Sequence, residues 1–255
     1  MAENREASLR QKAHYERIHE EYEAHYYDEH SLRYRERFFL DPLFAGLDFN
    51  DRDVLDVASG SGHNTVLLRR RFPRLRAAGV DISEAACSGY RRTTGFDAVQ
   101  GDLTRPLSLS RQFDAAMVIG GLHHMVVNLP QAVDNLAAFV KPGGWLLMME
   151  PSADSILEGA RALWYRQDRF FDAPTERGLS HGELLALAGE RFRAERVRYI
   201  GGPAYFVIYN SLVLRVPLRA KGWIAPFVFP LERAFNAFNS RLTAPVFIAR
   251  WRRCV

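Results

Sequence analysis

The stretch that most constrains the fold is residues 53–65, with the sequence DVLDVASGSGHNT. Its apolar residues and Asp56 predict a buried strand, five small residues predict a tight turn, and a helix opens at Asn64. A strand, a small-residue turn and a helix form a nucleotide-binding crevice at the carboxyl end of a parallel sheet. Glycines are needed in that turn because a ligand must approach bare backbone, where a Cβ atom would collide.

Strand and helix patterns alternate after this stretch, which is typical of a doubly wound parallel sheet. Further strands are predicted at residues 77–81, 96–100, 113–119, 145–149, 193–200 and 205–214. The last two are separated by Gly-Gly-Pro, so we expect them to pair antiparallel. The prediction is therefore an α/β fold: a Rossmann-like seven-stranded sheet, mostly parallel, with an antiparallel C-terminal strand.

Two helical regions flank this predicted sheet domain, which spans residues 43–214. Residues 1–42 are expected to form a helical lid, with Tyr15, Tyr22 and Tyr26 near one helical face. The alternative for this aromatic face is simple packing on the core. Residues 152–182 form an aromatic-rich insertion at the carboxyl edge of the sheet, where an insertion can line a substrate pocket.

Residues 215–255 form a basic, amphipathic C-terminal extension. They hold eight of the 34 Lys/Arg residues and one of the 30 acidic residues, which leaves 26 basic and 29 acidic residues for the rest of the chain. Such a basic, aromatic-rich segment is suited to a membrane interface or an anionic ligand. A solvated basic face, a cover for the core and a contact between two copies in a homodimer remain alternatives.

The cysteine content and the distribution of apolar residues indicate where in the cell the protein is located. The cysteines, Cys87 and Cys254, are far apart in the sequence and form no metal-binding pair, which favours a reducing compartment over a disulfide framework. The charged start of the chain lacks the apolar core of a secretory signal. No window has the ~18 consecutive apolar residues of a membrane span. We expect a cytoplasmic protein, with the inner face of a membrane as the alternative location.

Acidic residues follow each of the first three strands, at Asp56, Asp81 and Asp102, and two characteristic segments lead through the fourth and fifth. These segments are FDAAMVIGGLHHM and LAAFVKPGGWLLMMEP. Together with the glycine turn, this set resembles the class I S-adenosylmethionine-dependent methyltransferases, over roughly residues 40–150. The likeness is greatest to their small-molecule branch, which includes quinone-biosynthesis and fatty-acyl-modifying enzymes.

The resemblance implies a role for each strand end. Asp81 would accept both ribose hydroxyls, and Asp102 would bind the adenine amino group, with Ile82 and Leu103 on either side of the ring. Asp56 would orient the turn near the methionine end. The family usually has glycine at the position that Ala58 occupies in this chain, and often cysteine at the position of Ser59. The cofactor-binding set is predicted to comprise Tyr26, Asp56, Ala58, Ser59, Gly60, Gly62, Asn64, Asp81, Ile82, Asp102, Leu103, Ile119 and Gly120.

A dinucleotide fits the sequence less well. The third position of the Gly-rich pattern is Thr65, whereas NAD-binding turns have Gly or Ala there. S-adenosylmethionine has no pyrophosphate, so its turn need not direct a helix terminus at an anion. Tyr90 is followed four residues later by Thr94, which excludes the Tyr-x-x-x-Lys pair of a short-chain dehydrogenase. The expected cofactor is S-adenosylmethionine, leaving S-adenosylhomocysteine as product, without a metal.

Methyl transfer from a sulfonium mainly requires that the enzyme position the acceptor against the methyl group. It requires a base only where the acceptor carries a proton. His123 and His124 follow the fourth strand, and Glu150 ends the fifth. A histidine titrates in the range that such a base requires. We favour His124 over His123 as the base, with Glu150 facing the same edge. The alternative is that both histidines only satisfy backbone groups at a helix start.

The sequence therefore predicts a methyltransferase that acts on an oxygen, carbon or nitrogen of a small or lipid-linked molecule in biosynthesis. The alternatives are a protein or nucleic-acid methyltransferase and a regulator that binds the cofactor without catalysis. Nucleic acid is disfavoured because the positive charge lies mainly in the C-terminal extension. In addition, Gly120 and Gly121 stand where base-amino methylases have an Asn/Asp-Pro-Pro-Tyr motif.

Overall fold

A computed structural model describes residues 25–167 and 177–255. Seven strands form one sheet in the order β3-β2-β1-β4-β5-β7-β6. Neighbouring strands are parallel except at β7, which is antiparallel to both β5 and β6. The strands are β1 (Asp53–Val57), β2 (Arg76–Asp81), β3 (Ala98–Gln100), β4 (Phe113–Ile119), β5 (Val140–Pro151), β6 (Phe192–Ile200) and β7 (Val246–Arg253). The predicted Rossmann-like architecture is confirmed.

Helices pack on both faces of the sheet, and buried strand residues alternate between two hydrophobic clusters. In β4, for example, Met117 lies in one cluster and Val118 in the other, as expected for strands covered on both sides. The helices are α1 (Glu29–Tyr34), α2 (Asp41–Phe44), α3 (His63–Arg71), α4 (Glu84–Thr94), α5 (Leu129–Phe139), α6 (Glu158–Gln167), α7 (His181–Ala188) and α8 (Leu218–Phe238).

The described part of the N-terminal region is helical, as predicted. Asp28 caps α1 by accepting hydrogen bonds from two backbone N–H groups. A π-helical turn, Arg35–Leu40, joins α1 to α2, so Asp41–Pro42 does not end the helical path. Pro42 lies in the first turn of α2, where its missing N–H leaves no hydrogen bond unmade. Tyr15 and Tyr22 of the predicted aromatic face lie outside the described residues.

The strand predicted at residues 205–214 is wrong. Residues Tyr205–Tyr209 form a π-helical turn whose Tyr205, Ile208 and Tyr209 side chains are buried. Their apolar, aromatic content resembles that of a strand, but the spacing of three and four residues serves a helical turn packed on α1 and α8. β6 instead pairs with β7, so its predicted hairpin partner was also wrong.

The last strand of the sheet comes from the C-terminal extension, at Val246–Arg253. The C-terminal extension, residues 215–255, therefore does not lie wholly outside the sheet. A sheet domain that spans residues 43–214 lacks this last strand. Val246 begins β7. α8 ends before it, at Phe238. Among the described helices, none combines the length and the apolar content that crossing a bilayer requires.

Candidate active site at the carboxyl edge of the sheet

The turn after β1 is held against the end of β2. The Ser59 N–H donates to the Val80 carbonyl at 3.2 Å, and the Ser59 side chain is buried under the turn. Ala58 has a φ of +53°, a left-handed conformation that favours glycine. A Cβ atom on Gly121 would lie 2.8 Å from the Ala58 Cβ. Gly121, the second residue after β4, must therefore lack a side chain for the two strand ends to approach.

Asp81, at the end of β2, links the turn to the start of α4. Its Oδ2 accepts the Gly60 N–H at 2.9 Å, and its Oδ1 accepts the Ser83 N–H at 3.0 Å. The side chain is half-buried, so a ligand at the edge of the sheet can reach the carboxylate. Ile82 beside it is also half-buried, and its carbonyl accepts a hydrogen bond from Gln100. The predicted ribose-binding position thus borders the glycine turn.

Asp102 follows β3 and turns back on its own backbone. Its Oδ1 accepts the Thr104 N–H at 2.9 Å and the Thr104 hydroxyl at 2.6 Å. Leu103 is buried in the same hydrophobic cluster as Val80. The turn and the leucine anchor this loop beside Asp81, and the Asp102 carboxylate is half-buried at its surface.

Asp56 lies beneath the turn and is fully buried. Its Oδ2 accepts the Thr65 hydroxyl at 2.7 Å, and that hydroxyl also lies 3.0 Å from the hydroxyl of Tyr90. Within the described ranges, no group forms a hydrogen bond with Asp56 Oδ1. Burial raises the pKa of Asp56 to about 7, against the opposing effects of the Thr65 hydrogen bond and the Arg35 charge. The buried Asp56 carboxyl near the end of β1 therefore changes its protonation state near neutral pH.

The N-terminal region covers the turn through Tyr27 rather than the predicted Tyr26. The Tyr27 ring stacks on His63 with 4.2 Å between ring centroids. Its hydroxyl would lie 3.7 Å from a Cβ atom on Gly60. The Tyr26 hydroxyl donates to Asn210, and its ring packs edge-on against that of Tyr209 with 5.4 Å between ring centroids. The helical conformation ends at Tyr26 and Tyr27 lies in a bend before α1, so the two side chains take different directions.

Arg35 connects this cover to the start of α3. Its guanidinium donates to Asn64 Oδ1 at 2.9 Å and to the Tyr209 hydroxyl at 3.2 Å, and lies 4.8 Å from the Tyr27 ring centroid. Arg35 is 3% exposed. The predicted Asn64 thus contacts Arg35, a buried residue beside the candidate site that is not among those predicted from the sequence. Nothing in the sequence distinguishes it from the neighbouring surface arginines.

The ends of β4 and β5 hold the two histidines. Ile119 is buried, and Gly120 follows with a φ of +71°. Glu150 is fully buried. Its Oε1 accepts the N–H groups of Gly121 and Leu122 at 3.0 and 2.8 Å. Because the Glu150 carboxylate accepts backbone N–H groups of the turn after β4, it fixes the position of the residues that follow.

Glu150 also holds the ring of His123. Its Oε2 lies 2.8 Å from His123 Nδ1 and accepts the His123 N–H at 3.2 Å. His123 is 8% exposed, its Cε1 would lie 3.8 Å from a Cβ atom on Gly120, and the His124 ring lies 3.8 Å away between centroids. The structure therefore brings Glu150, His123 and His124 together at one edge, with Glu150 beneath the pair.

These positions can hold S-adenosylmethionine. Acidic side chains lie at or just after three adjacent strand ends, and the glycine turn between them leaves backbone uncovered. In the part of the chain that the structure describes, no group of three or more His, Cys, Asp or Glu side chains could hold a metal ion. A doubly wound sheet with an antiparallel seventh strand and this edge defines the class I S-adenosylmethionine-dependent methyltransferases.

A family model described as a methyltransferase domain matches residues 19–182. The chain belongs to this methyltransferase family, and S-adenosylmethionine is its cofactor. The predicted family and cofactor are confirmed.

Solved structures share the fold at low sequence identity. The N-methyltransferase NodS from Bradyrhizobium japonicum, in complex with S-adenosylhomocysteine, is 13% identical, with a TM-score of 0.54 over 89% of this chain and 88% of that one. A possible histamine N-methyltransferase from Thermotoga maritima is 17% identical, with a TM-score of 0.61 over 95% and 98%. The [4+2]-cyclase SpnF is 18% identical, with a TM-score of 0.57 over 84% and 80%. At these identities the likeness concerns the fold alone.

Proposed function

We propose that the protein transfers the methyl group of S-adenosylmethionine to an oxygen, nitrogen or carbon of a small or lipid-linked acceptor in a biosynthetic reaction. The observation that carries this proposal is the contact between Glu150 and His123 Nδ1, at 2.8 Å, beside the glycine turn. A histidine that is oriented by a buried carboxylate at the edge of the cofactor site is suited to remove a proton from an acceptor.

Each residue would have a defined task. Asp81 would bind the ribose hydroxyls, and Asp102 would bind the adenine amino group. The cofactor supplies a methyl group that is already activated as a sulfonium, so the protein mainly has to position the acceptor. Tyr27, stacked over the turn, would shield the bound cofactor from water. Arg35, a buried cation of the π-helical turn that donates to Asn64 of α3, would attract a carboxylate such as that of a methionine group.

His123 is the better candidate for the base. A carboxylate next to Nδ1 favours the tautomer with hydrogen on that nitrogen, so Nε2 would take the proton from the acceptor. His124 is half-buried, and its ring packs on that of His123. We therefore assign the proton transfer to His123 and a positioning role to Glu150, and give His124 the role of packing on the base.

At least one protein that shares this fold is named for a small-molecule acceptor. The mitomycin 7-O-methyltransferase MmcR is 16% identical, with a TM-score of 0.56 over 88% of this chain and 55% of that one, and NodS is an N-methyltransferase. Both cysteines of the chain are free thiols, which supports a reducing, cytoplasmic setting. We propose the cytoplasmic location together with the small or lipid-linked acceptor.

The test supplies methyl-labelled S-adenosylmethionine to the protein with host-cell extract, followed by separation into organic, aqueous and macromolecular fractions. Label in the organic or aqueous fraction supports a lipid-linked or soluble small-molecule acceptor, respectively. Label on macromolecules, or label that appears equally without the protein, would refute the proposed acceptor class.

The base is tested with His123→Ala and His124→Ala as a matched pair. We expect His123→Ala to lower turnover by about 10²-fold or more and His124→Ala to have a much smaller effect. Calorimetry should give both variants wild-type affinity for S-adenosylhomocysteine. If His123→Ala retains full turnover, positioning alone carries the catalysis.

A further inference from the structure

The outer face of α8 is apolar and exposed to solvent. Trp223 is 83% exposed and Phe238 is 88% exposed. Their spacing, with the residues between them, follows the helical period, so they share one face. This face, the α8 stripe, comprises Trp223, Pro226, Phe227, Pro230, Leu231, Ala234, Phe235 and Phe238. Soluble chains seldom expose a contiguous aromatic surface of this kind unless it binds something.

The inner face of α8 is fixed to the rest of the protein, which keeps the α8 stripe pointing outward. Lys221 is fully buried, and its Nζ donates to Asp28 and, at 2.7 Å, to the Ser31 hydroxyl. Glu232 is also fully buried and accepts hydrogen bonds from the Tyr34 hydroxyl and from the Gly202 N–H, the latter at 2.9 Å. These polar anchors specify which side of the helix faces the core.

Positive charge lies along one border of the stripe. Arg219 and Arg233 of α8 are exposed, and the single acidic residue of the helix is the buried Glu232. Partial burial and then the charges of Arg233 and Arg33 lower the pKa of Arg37, and they outweigh the opposing charge of Asp41. Three arginines from α1, the π-helical turn and α8 therefore lie close enough to repel one another. A surface of negative charge would relieve that repulsion.

We propose that the α8 stripe and its arginine border bind the surface of a bilayer that contains anionic phospholipids. Aromatic side chains on one face of a helix, with basic residues beside them, suit the boundary between acyl chains and headgroups. Each arginine near an anionic surface adds favourable electrostatic energy that salt weakens. A second copy fits less well, because two stripes in contact would bring two arginine borders together without an exposed acid on either helix.

The experiment measures co-sedimentation of the full chain with phosphatidylcholine vesicles, with and without phosphatidylglycerol, in the absence of cofactor and acceptor. Its outcome is thereby independent of the proposed methyl transfer. We expect binding to the anionic vesicles that weakens with salt, and a blue shift of tryptophan fluorescence on binding. Equal binding to neutral and anionic vesicles, or no binding to either, would overturn the proposal.

Two double variants separate the apolar and electrostatic contributions. Trp223→Ser with Phe238→Ser removes apolar surface, and Arg219→Glu with Arg233→Glu reverses the charge of the border. Because these side chains are exposed, we expect folding to be unaffected and binding to anionic vesicles to fall by at least about tenfold in each case.

Matched controls come from the opposite edge of the sheet. Val99→Ser on β3 and Arg92→Glu on α4 change an exposed apolar residue and an exposed arginine far from α8, and both should bind as wild type. Wild-type binding by the Trp223/Phe238 variant would contradict the proposal. So would a dimer, detected by sedimentation equilibrium, that the same variant dissociates, since a second copy would then cover the stripe.

Discussion

Replacing Gly62 with alanine tests whether the turn after β1 requires glycine for steric reasons. Gly62 immediately precedes α3 with a φ of +84°. A Cβ atom there would lie 2.5 Å from Thr94 Cγ2 and 2.9 Å from Tyr90 Cδ2. Tyr90 is fully buried, and its hydroxyl lies 3.0 Å from that of Thr65, so the ring has little room to move.

Two penalties add at Gly62. The left-handed conformation costs an alanine about 1–2 kcal/mol, and forcing a methyl group into a packed interior costs about 1–3 kcal/mol. We expect Gly62→Ala to lower the free energy of unfolding by about 2–5 kcal/mol in total. Gly95 provides the control, because its φ is +74° but nothing lies within 4 Å of the added Cβ. Gly95→Ala should cost only the conformational part.

Urea denaturation followed by circular dichroism measures both free energies. The clash is tested further in the background of Thr94→Ser, which removes Cγ2 but keeps the hydroxyl that donates to the Tyr90 carbonyl at 2.8 Å. In that background Gly62→Ala should cost less than in the wild type, as a double-mutant cycle would show. If Gly62→Ala costs no more than Gly95→Ala, the steric reasoning about this turn is wrong.

Three further predictions concern the carboxylates of the site. Asp81→Asn should weaken S-adenosylhomocysteine binding by at least about tenfold in calorimetry, because charge-assisted hydrogen bonds to the ribose are lost. Glu150→Gln should lower the free energy of unfolding by about 1–3 kcal/mol in urea titrations, because its amide would face N–H donors. For Asp56→Asn, burial raises the pKa of Asp56 to about 7, above the ~3.9 of an unfolded chain. Rising pH therefore destabilises the wild type between those values, and the variant should gain up to about 4 kcal/mol relative to it.

Exposed carboxylates serve as controls. Asp97→Asn and Glu190→Gln change the same functional groups at the surface and should leave binding and stability near the wild-type values. Undiminished affinity in Asp81→Asn would remove the ribose role. Full stability in Glu150→Gln would show that the turn after β4 does not depend on that carboxylate. A pH-independent difference between Asp56→Asn and the wild type would contradict a neutral carboxyl beneath the turn.

The sequence predicts the site's framework well because strand ends are local features. An apolar run followed by Asp56 or Asp81 marks both the strand and its carboxyl end, and parallel strands bring those ends to one edge. N-caps are local features too: the side chains of Ser83 and Ser180 each accept a backbone N–H at the start of α4 and α7, respectively.

The order of the last elements could not be predicted because it depends on partners distant in sequence. Residues 205–214 and 246–253 both contain apolar and aromatic residues, and either segment could serve as a strand. Packing decides which of the two segments becomes a strand. Tyr209 stacks on Tyr34 with 5.5 Å between ring centroids. Trp251 is fully buried in the sheet, and its indole N–H donates to His181 at 3.1 Å. Neither contact is visible in the local pattern.

The site's cover was missed for a similar reason. A prediction of continuous helix cannot distinguish Tyr26 from the next residue, because it does not show the bend at Tyr27 that directs one ring towards Tyr209 and the other onto His63. The burial of Arg35 depends on Asn64 and Tyr209, which lie 29 and 174 residues away in sequence. Such a residue resembles any other arginine until the tertiary contacts are known.

The hydrogen bonds of three carboxylates along this edge indicate different roles for them. Glu150 is fully buried and receives three backbone N–H groups and an imidazole, so both of its oxygens are committed to holding the turn. Asp81 receives two backbone N–H groups but is half-buried, so its carboxylate is both oriented and reachable. Asp56 receives the Thr65 hydroxyl on one oxygen, and its burial favours the neutral acid. Orientation with access is what ligand binding requires, and for that reason Asp81 is the residue on which cofactor affinity should depend most.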